Sequence, residues 1–434
     1  MDNRLPTILR GYRVAMAAAS PLAGLLIQRR LKQGKEDPAR IGERRGRTSI
    51  ERPAGPLVWI HGASVGEVLS AAALIEKLRA SNMLVLVTSG TVTSAEIIAR
   101  RFPSGVIHQF LPYDAPRFVE RFLDHWRPDL ALFIESDLWP NLILTGAGRR
   151  LPMILINGRM SPRSFPRWSR APRTISSLLG CFDLCLAQSP ADAERFTALG
   201  CPHVTTTGNL KFDVAAPSAD PKVLDHLMTM TQGRPVIVAA STHPGEEEIA
   251  IDVHKGLVKS FPRLLSIIVP RHPARGEGIA RMVASTGLRV ALRSRDQLPS
   301  ADVEIYVADT LGELGLFYRL APVVIMGASF VPQGGHNPIE PAKLGAAIAH
   351  GPYIGNNTEV YEALDSAGGG VMAQDAASLV KICSQWLNDS ASRDRAALAA
   401  RKTVDALGGA LNNTLNALEP YLLQLSLESR ASNA

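Results

Sequence analysis

Short apolar runs and longer amphipathic stretches alternate along most of the chain from Pro56 onward. Five runs rich in aliphatic and β-branched residues come before a break near residue 214: LVWIHG, LVLVTSG, DLALFIES, MILINGR and FDLCLAQS. Between them lie segments with apolar residues at helical spacing, such as APRFVERFLDHW. Near-continuous apolar strands that are joined by helices are typical of a parallel sheet covered on both faces. The pattern therefore predicts an α/β domain.

The alternation stops at residues 214–233, which contain Pro217 and Pro221 and have little strand propensity, as is typical of a linker. A second series of apolar runs then follows: PVIVAAST, LLSIIVPRH, EIYVADT, PVVIMGAS and AAIAHG. From about Ala376 the chain is alanine-rich and helical in pattern. We therefore predict an α/β protein with two Rossmann-like domains whose parallel sheets face a cleft. The predicted division is a basic amphipathic segment 1–52, a first domain 53–213, a linker 214–233, and a second domain 234–434 with a helical tail.

The positive charge of the chain is concentrated at its front. The sequence has 47 Lys and Arg against 40 Asp and Glu, a net charge of +7, and the first 52 residues alone carry this excess. Proteins that coat nucleic acid usually spread basic charge over the working domain, so the distribution argues against a nucleic-acid partner. With 46% hydrophobic and 20% charged residues, the composition excludes a disordered chain.

The apolar stretch Val14–Ile27 has only 14 residues, fewer than the roughly 20 that a membrane-spanning helix needs. At 100° per residue, one side of a helix would instead carry a stripe of apolar residues: Leu5, Ile8, Leu9, Tyr12 and Met16. Because arginines flank this stripe, we predict an interfacial helix on an anionic leaflet. An amphipathic helix that packs on the body of the protein, or binds a partner, is the alternative.

The segment WIHGASVGE (Trp59–Glu67) leads from a strand through small residues into a helix. A carboxylate at this end of the strand can take a proton from an attacking hydroxyl. Glu67 is the candidate for that role, although a glutamate in the first helical turn also suits the helix macrodipole. Spacing alone leaves both interpretations open.

Three further segments of the first domain carry polar residues after an apolar run. In ESDLWPN, Glu135 and Asp137 share one face of a strand and suit either a cation or, as we favour, hydrogen bonds to a sugar. Asn141 in the same segment is an added polar contact or a cap. Lys211 in GNLKFD can neutralise phosphate, or simply be solvated. The hydroxyls of TSGTVTSAE, which begins at Thr88 and Ser89, suit capping or a phosphate.

Four segments follow strands of the second series: STHPGEEE, PRHPARGE, ADTLGELG and QGGHNPIEPA. Arg271 and His272 offer donors to a phosphate, and Glu340 offers an acceptor to ribose hydroxyls. Neither domain opens with GxGxxG or GxxxxGK[ST], which argues against dinucleotide oxidoreductases and P-loop NTPases. Twin Rossmann-like domains without those loops indicate a glycosyltransferase of the GT-B type, although fold alone does not settle function.

Taken in order, WIHGASVGE, ESDLWPN, GNLKFD, STHPGEE, PRHP, DTLGELG and GGHNPIEPA closely resemble the Kdo transferases, where Kdo is 3-deoxy-D-manno-octulosonic acid. The resemblance covers about residues 34–370. It implies a metal-independent, inverting GT-B enzyme of lipopolysaccharide biosynthesis. Such an enzyme moves Kdo from CMP-Kdo to the 6′-hydroxyl of the lipid A precursor, at the cytoplasmic side of the cell inner membrane, where it is monotopic or peripheral.

The resemblance also implies roles for individual residues. Glu67 is expected to be the catalytic base, and Glu135 and Lys211 are expected to stabilise the transition state. Residues expected to hold the donor are Pro270, Arg271, His272, Leu311, Gly312, Glu313, Asn337, Pro338, Ile339 and Glu340. Candidate acceptor contacts are Ser64, Thr88, Ser89 and Asn141. No metal or other cofactor is expected.

Two alternatives remain at this point. One is a GT-B transferase that uses a UDP-sugar, and the other is a non-catalytic protein that binds a glycolipid at a membrane surface.

Overall fold

A computed structural model describes residues 5–213 and 216–432 of the chain. The ends of the predicted front segment and tail (1–4 and 433–434) and the first two linker residues (214–215) lie outside the described residues. The chain forms two compact units, residues 1–213 with 408–434, and residues 214–407. Each unit is built around a seven-stranded parallel sheet.

The first unit contains the sheet β3-β2-β1-β4-β5-β6-β7. Its strands are β1 (Leu57–His61), β2 (Leu84–Ser89), β3 (Val106–Phe110), β4 (Leu130–Ile134), β5 (Met153–Gly158), β6 (Leu184–Ala187) and β7 (Val204–Thr206). Its helices are α1 (Thr7–Ala19), α2 (Ala23–Lys32), α3 (Val65–Ser70), α4 (Ala72–Ala80), α5 (Val92–Arg101), α6 (Pro116–Trp126), α7 (Pro140–Gly148), α8 (Phe165–Ser169), α9 (Pro172–Leu179) and α10 (Pro190–Ala198).

The second unit contains the sheet β10-β11-β9-β8-β12-β13-β14. Its strands are β8 (Val236–Thr242), β9 (Leu265–Pro270), β10 (Val290–Leu292), β11 (Ile305–Val307), β12 (Val323–Met326), β13 (Ala347–His350) and β14 (Gly370–Met372). Its helices are α11 (Pro221–Thr231), α12 (Glu246–Leu257), α13 (Gly276–Ser285), α14 (Leu314–Leu320), α15 (Ile339–Lys343), α16 (Thr358–Ser366), α17 (Ala376–Asn388) and α18 (Ser390–Leu407). The last helix, α19 (Ala410–Ser432), returns to the first unit.

The central strands are buried on both faces, as their continuous apolar runs predict. In β1, Leu57 and Trp59 pack on one side of the sheet, while Val58 and Ile60 pack on the other. The prediction of two parallel-sheet Rossmann-like units is confirmed, and each of the ten predicted runs contains a strand. Four shorter or more polar strands, β3, β7, β10 and β14, were not predicted.

The helical tail differs from the predicted division, because its last helix belongs to the first unit. Leu418 and Leu425 of α19 lie in the hydrophobic core that covers one face of β1 and β4. Asp213 fixes the start of α19, since its carboxylate accepts hydrogen bonds from the backbone N–H groups of Gly409 (2.7 Å) and Leu411 (2.5 Å). The predicted linker differs too, because α11 occupies most of it.

The front segment packs on the first unit. Leu9 of α1 is buried in the core, and the Tyr12 hydroxyl donates to Oδ2 of Asp114 at 3.0 Å. The prediction that Leu9 and Tyr12 face lipid is therefore wrong, because that side of the helix contacts protein. The large apolar residues that α1, α2 and the turn between them expose are Ile8, Val14, Leu22, Leu25 and Leu26. Among the residues that the structure describes, no helix combines the length and apolar character needed to cross a bilayer.

Candidate active site

Each sheet has one point where its strand order reverses, and several of the side chains predicted from the sequence, among them Glu67, Glu135 and Asn337, follow the strands that flank these points. In the first sheet the reversal lies between β1 and β4, and in the second between β8 and β12. Ligands of open α/β sheets bind at the carboxyl ends of the strands beside such a reversal. The turns after β1, β4, β8 and β12 are therefore the expected positions of binding and catalytic residues.

Glu67 lies directly after β1, in the first turn of α3. Ser64 caps this helix, and the Glu67 carboxylate folds back over the turn. Its Oε2 accepts from the backbone N–H of Ala63 at 2.7 Å, and its Oε1 accepts from the Ser64 hydroxyl at 2.8 Å. Gly62 makes room for this arrangement, because a Cβ at that position would lie only 3.2 Å from the Cβ of Glu67. The carboxylate is thus held at the carboxyl end of a central strand.

The environment raises the pKa of Glu67 above the usual value for a glutamate. Burial is the main cause, and the charges of Glu135 and Asp137 act in the same direction, while the hydrogen bonds from Ser64 and Ala63 oppose them. A carboxylate with a raised pKa is a stronger base. The Glu67 side chain is half-buried and is not enclosed in the core. Glu67 therefore combines a position at the carboxyl end of β1 with a raised proton affinity.

Glu135 follows β4 and pairs with Lys211, whose Nζ lies 3.0 Å from Glu135 Oε1. Glu135 has a left-handed backbone (φ 63°), and its N–H donates to the Ile156 carbonyl oxygen of β5. Lys211 lies in a short 3₁₀ helix, Leu210–Phe212, which is held by Asn157, because Asn157 Oδ1 accepts from the N–H of Leu210 at 2.9 Å. Two distant segments are thereby brought to one edge of the sheet.

Strained backbone recurs at the strand ends that carry these groups. Glu135, Asn157, Ser241 and Ala328 have φ values between 51° and 63°, although none of them is glycine. They lie at or just after the ends of β4, β5, β8 and β12. A left-handed conformation costs a non-glycine residue about 1–2 kcal/mol, and such strain is concentrated at functional sites.

Asp137 does not converge with Glu135 on a common point, since each carboxylate has its own partner. Oδ2 of Asp137 lies 3.0 Å from Nε2 of His61 and 2.9 Å from Nε1 of Trp139. Burial acts to raise the pKa of Asp137, but the hydrogen bonds from His61 and Trp139 outweigh it, and the pKa lies below its usual value. Within the described residues, no three His, Cys, Asp or Glu side chains are placed so that they could hold a metal ion.

His61, which the sequence analysis did not single out, links Asp137 to the core. Its Nδ1 lies 3.0 Å from the Thr88 hydroxyl oxygen, which accepts a hydrogen bond from Nε1 of Trp59 at 2.8 Å. When the Thr88 hydroxyl donates a hydrogen bond to Nδ1, the neutral ring carries its hydrogen on Nε2, and this N–H donates a hydrogen bond to Asp137. The available sequence signal was that His61 is a polar residue at the end of the otherwise apolar run LVWIH.

Three of the four candidate acceptor contacts are buried. The Thr88 side chain is enclosed as described above, and the Ser89 hydroxyl lies 2.9 Å from Nε2 of His108. The Asn141 side chain donates to the backbone oxygen of Asp114 at the start of α7 and is only 1% exposed. Thr88, Ser89 and Asn141 thus make these contacts inside the unit, and their role as direct acceptor ligands stays a prediction. Ser64 is exposed.

In the second unit, a histidine pair lies where the order of strands reverses. Nε2 of His243, after β8, lies 3.0 Å from Nε2 of His336, in the loop after β12. Burial, with the nearby charges of His243, Arg271 and His272, lowers the pKa of His336 to about 4. The pKa of His243 is also lowered, mainly by burial. One neutral ring therefore donates to the other at neutral pH, beside the exposed side chains of Arg271 and His272.

The loop after β12 is fixed by Glu246, the first residue of α12. The Glu246 carboxylate accepts from the backbone N–H groups of Ala328 (2.7 Å), Ser329 (3.1 Å) and Phe330 (3.0 Å). These successive N–H groups form a concave anion site that an internal carboxylate already fills. Glu246 and the two histidines were missed as individual residues, although all three lie in quoted motifs.

Apart from Pro270, the other expected donor residues fall into two groups. Leu311, which is 80% exposed, and Gly312, with φ 81°, precede Glu313, whose carboxylate accepts from Arg293 at 2.7 and 3.1 Å. The Arg293 hydrogen bond is the main cause of the low pKa of Glu313. The second group surrounds the start of α15 and consists of Asn337, Pro338, Ile339 and Glu340.

In that second group, Asn337 Oδ1 accepts from the Ile339 N–H at 3.0 Å, and burial raises the pKa of Glu340. Pro338 and Ile339 bury their side chains, as does Pro270 at the end of β9. Only the polar members, Asn337 and Glu340, retain partly exposed side chains.

Comparison with known proteins identifies the family. A family model described as 3-deoxy-D-manno-octulosonic-acid transferase (kdotransferase) matches residues 39–214. A probable mitochondrial 3-deoxy-D-manno-octulosonic acid transferase of Arabidopsis thaliana is 38% identical over 83% of this chain and 83% of its own length. The 3-deoxy-D-manno-octulosonic acid transferase of Bordetella pertussis is 33% identical over 95% of this chain and 99% of its own.

The fold has its own parallels among solved structures. A glycosyltransferase from Rickettsia africae is similar over 86% of this chain and 99% of that one, with a TM-score of 0.53 and 13% identity. At this identity the likeness shows the GT-B fold alone. Because the two curated relatives are 38% and 33% identical over most of both chains, this chain belongs to the 3-deoxy-D-manno-octulosonic acid transferases and is a GT-B glycosyltransferase.

Proposed function

We propose that this enzyme transfers Kdo from CMP-Kdo to the 6′-hydroxyl of the acylated, phosphorylated glucosamine disaccharide that becomes lipid A. The reaction inverts the anomeric configuration and takes place at the cytoplasmic face of the inner membrane. The observation that carries the proposal is the position of Glu67. It is a carboxylate of raised pKa at the end of β1, and the pair Glu135–Lys211 lies at the same edge of the sheet.

The proposed step balances as a single displacement. Glu67 takes the proton of the acceptor hydroxyl, and the oxygen forms a bond to the anomeric carbon of Kdo. The bond between that carbon and the CMP phosphate oxygen breaks, and its electron pair leaves on CMP. A general base of this kind contributes typically about 10²–10⁴-fold to the rate.

In this proposal, charge on the transferring groups is balanced by side chains rather than by a metal. Lys211 supplies a positive charge in the first unit, and Glu135 holds it in place through the 3.0 Å contact. Arg271 and His272 of the second unit are exposed donors beside the pair His243–His336. Preorganised donors of this kind stabilise charge that develops on a leaving phosphate.

The front segment supports the proposed location. Ile8, Val14 and Leu25 are each more than 60% exposed, and Arg29 and Lys32 are close in sequence to Leu25. Exposed apolar side chains beside basic ones suit a leaflet of anionic lipid. We propose that this face, made of α1, α2 and the turn between them, rests on the membrane.

The test is turnover by the purified protein. Incubation with CMP-Kdo and the lipid A precursor should release CMP and increase the acceptor mass by one or more Kdo units, as measured by mass spectrometry. UDP-sugars offered in place of CMP-Kdo should give no product. Absence of both CMP and product would overturn the proposal, and turnover of a UDP-sugar would replace its donor.

A further inference from the structure

A cavity of about 520 Å³ lies inside the first unit, between the front helices and the loops at the carboxyl ends of β1, β2 and β3. Its volume falls within the roughly 300–1,000 Å³ that is usual for small-molecule sites. One wall is apolar and is formed by residues of α1, α2 and the turn between them: Met16, Ala19, Leu22, Ala23 and Leu26. Leu111 and Phe118 contribute apolar surface from the body of the unit.

The other end of the cavity reaches the proposed base. Its lining there includes His61, Ala63 and Asp137. The backbone N–H of Ala63 donates to the Glu67 carboxylate at 2.7 Å, so the cavity ends beside the group that would receive the acceptor proton. A molecule that fills the cavity would thus have one end at Glu67 and the rest along the front helices.

The charged residues of the lining are already used in bonds within the unit. Arg30 and Arg44 both pair with the buried carboxylate of Glu36. The Asp114 carboxylate accepts from the Tyr12 hydroxyl and from the first N–H groups of α7. Because these charges are compensated, the surface offered along the front helices is that of the aliphatic side chains. An unsubstituted sugar would leave its hydroxyls without partners there, which is costly for a buried polar group.

We propose that this cavity holds one acyl chain of the acceptor glycolipid, with the sugar end of the acceptor at Glu67. The inference rests on the proposed function, since it takes the acceptor to be acylated. The front helices then have two roles, because their outer face meets the membrane and their inner face forms the wall of the acceptor site. A chain that leaves the bilayer beside Leu22 and Leu26 would enter the cavity directly, because both residues line it and both are exposed.

A pair of matched substitutions tests the inference. Ala19 lines the cavity and Ala18 does not, although both are exposed residues at the end of α1. Ala19→Phe should fill the cavity and lower kcat/KM for the acylated acceptor about tenfold, the effect of removing roughly two methylene groups from an apolar contact. Ala18→Phe should leave this value unchanged, and both variants should match wild type with a fully deacylated acceptor. Equal values for the two variants, or an equal loss on the deacylated acceptor, would overturn the inference.

A binding measurement separates this inference from the proposed function. Trp139 lines the cavity, so a bromine-labelled dodecanoyl chain bound there should quench its fluorescence. Quenching is expected in wild type and in Ala18→Phe, and it should be lost in Ala19→Phe and in Trp139→Phe. If wild type shows no Kdo transfer but this quenching pattern holds, the proposed function fails and the acyl site stands. If transfer is normal and Ala19→Phe is quenched like wild type, only the acyl site is excluded.

Discussion

The ammonium group of Lys211 lies 3.0 Å from Oε1 of Glu135, although 76 residues separate them in sequence. The Lys211 side chain is 42% exposed and that of Glu135 is 19% exposed, so the pair is not a buried one. Pairs with this exposure contribute about 1 kcal/mol or less to stability. The contact therefore adds little to the stability of the fold. It is better explained by the position it gives to the Lys211 charge, at the edge of the sheet that carries Glu67.

Lys211→Ala should lower kcat about 10²–10³-fold, the usual effect of removing one donor that stabilises transition-state charge. The free energy of unfolding should change by about 1 kcal/mol or less. Glu135→Gln should act in the same direction, and the double variant should lose less than the two single losses combined, because the residues act as a unit. Lys222→Ala, at an exposed lysine of α11, is the control and should retain full activity. A kcat of Lys211→Ala close to wild type would refute the role of the pair.

The acid limb of the rate–pH profile should report Glu67. Because burial raises its pKa, Glu67 becomes protonated at a higher pH than an ordinary glutamate does. Activity that depends on the Glu67 carboxylate should therefore be lost at that higher pH when the solution is acidified. The Ser64 hydrogen bond lowers this pKa, so Ser64→Ala should raise it and move the acid limb to higher pH. Ser189→Ala removes an equivalent helix cap from α10, and each variant should cost about 1 kcal/mol of stability. Only Ser64→Ala should shift the profile of kcat/KM, and equal shifts in both would point to a general effect of lost stability.

Asp137→Asn should move the same acid limb in the opposite direction. The negative charge of Asp137 raises the pKa of Glu67, so its removal should lower that pKa and extend activity to lower pH. Asn can still accept the hydrogen bonds from His61 and Trp139 that Asp137 accepts. Asp129→Asn, just before the opposite end of β4, serves as the matched control and should leave the profile in place. A profile of Asp137→Asn that coincides with wild type would show that Asp137 does not act on Glu67 through its charge.

Replacing exposed apolar residues of the front helices should weaken membrane binding. Ile8, Val14 and Leu25 are 62%, 69% and 66% exposed, and none of them lines the cavity. Their simultaneous change to Ser should lower partition onto anionic liposomes roughly 100-fold, if each contributes about 1 kcal/mol. Leu398→Ser, at a 53% exposed leucine of the second unit, is the control. Unchanged partition of the triple variant in a sedimentation assay would exclude this face as the membrane contact.

Truncation of the front segment is a less informative experiment than point substitution. Leu9 and Ile27 are buried at 2% and 3% exposure, so deletion of residues 1–33 would also expose part of the first unit. Loss of liposome binding by such a deletion could then reflect loss of structure.

The sequence predicted the central strands well because their burial leaves a direct pattern. Ile60 and Phe133 belong to runs in which every residue is apolar or nearly so, and short runs of this kind are typical of strands that are covered on both faces. β3 escaped prediction because His108 and Gln109 interrupt its apolar pattern. Both side chains bond within the unit, since His108 contacts Arg40 and Ser89, and the Gln109 side-chain oxygen accepts from Trp126.

The candidate site was predictable only in part, because a side chain's availability depends on distant neighbours. Glu67 and Ser64 are close in sequence, and their capping arrangement follows from local spacing alone. Thr88 and Asn141 have equally polar side chains, yet each is buried against residues that the sequence places 27 or more positions away. Nothing local distinguishes a hydroxyl that meets a ligand from one that meets Trp59.

The return of α19 to the first unit has a consequence for biogenesis. Residues 214–407 are translated between the two parts of the first unit, so the ribosome completes the second unit before the first. Until α19 emerges, Leu418 and Leu425 are missing from the core that covers β1 and β4, the strands that lead to Glu67 and Glu135. A nascent chain that already contains every proposed catalytic residue is therefore still incomplete. A stop codon after Leu407 would yield a protein that has all of these residues but lacks part of the hydrophobic core that supports their strands.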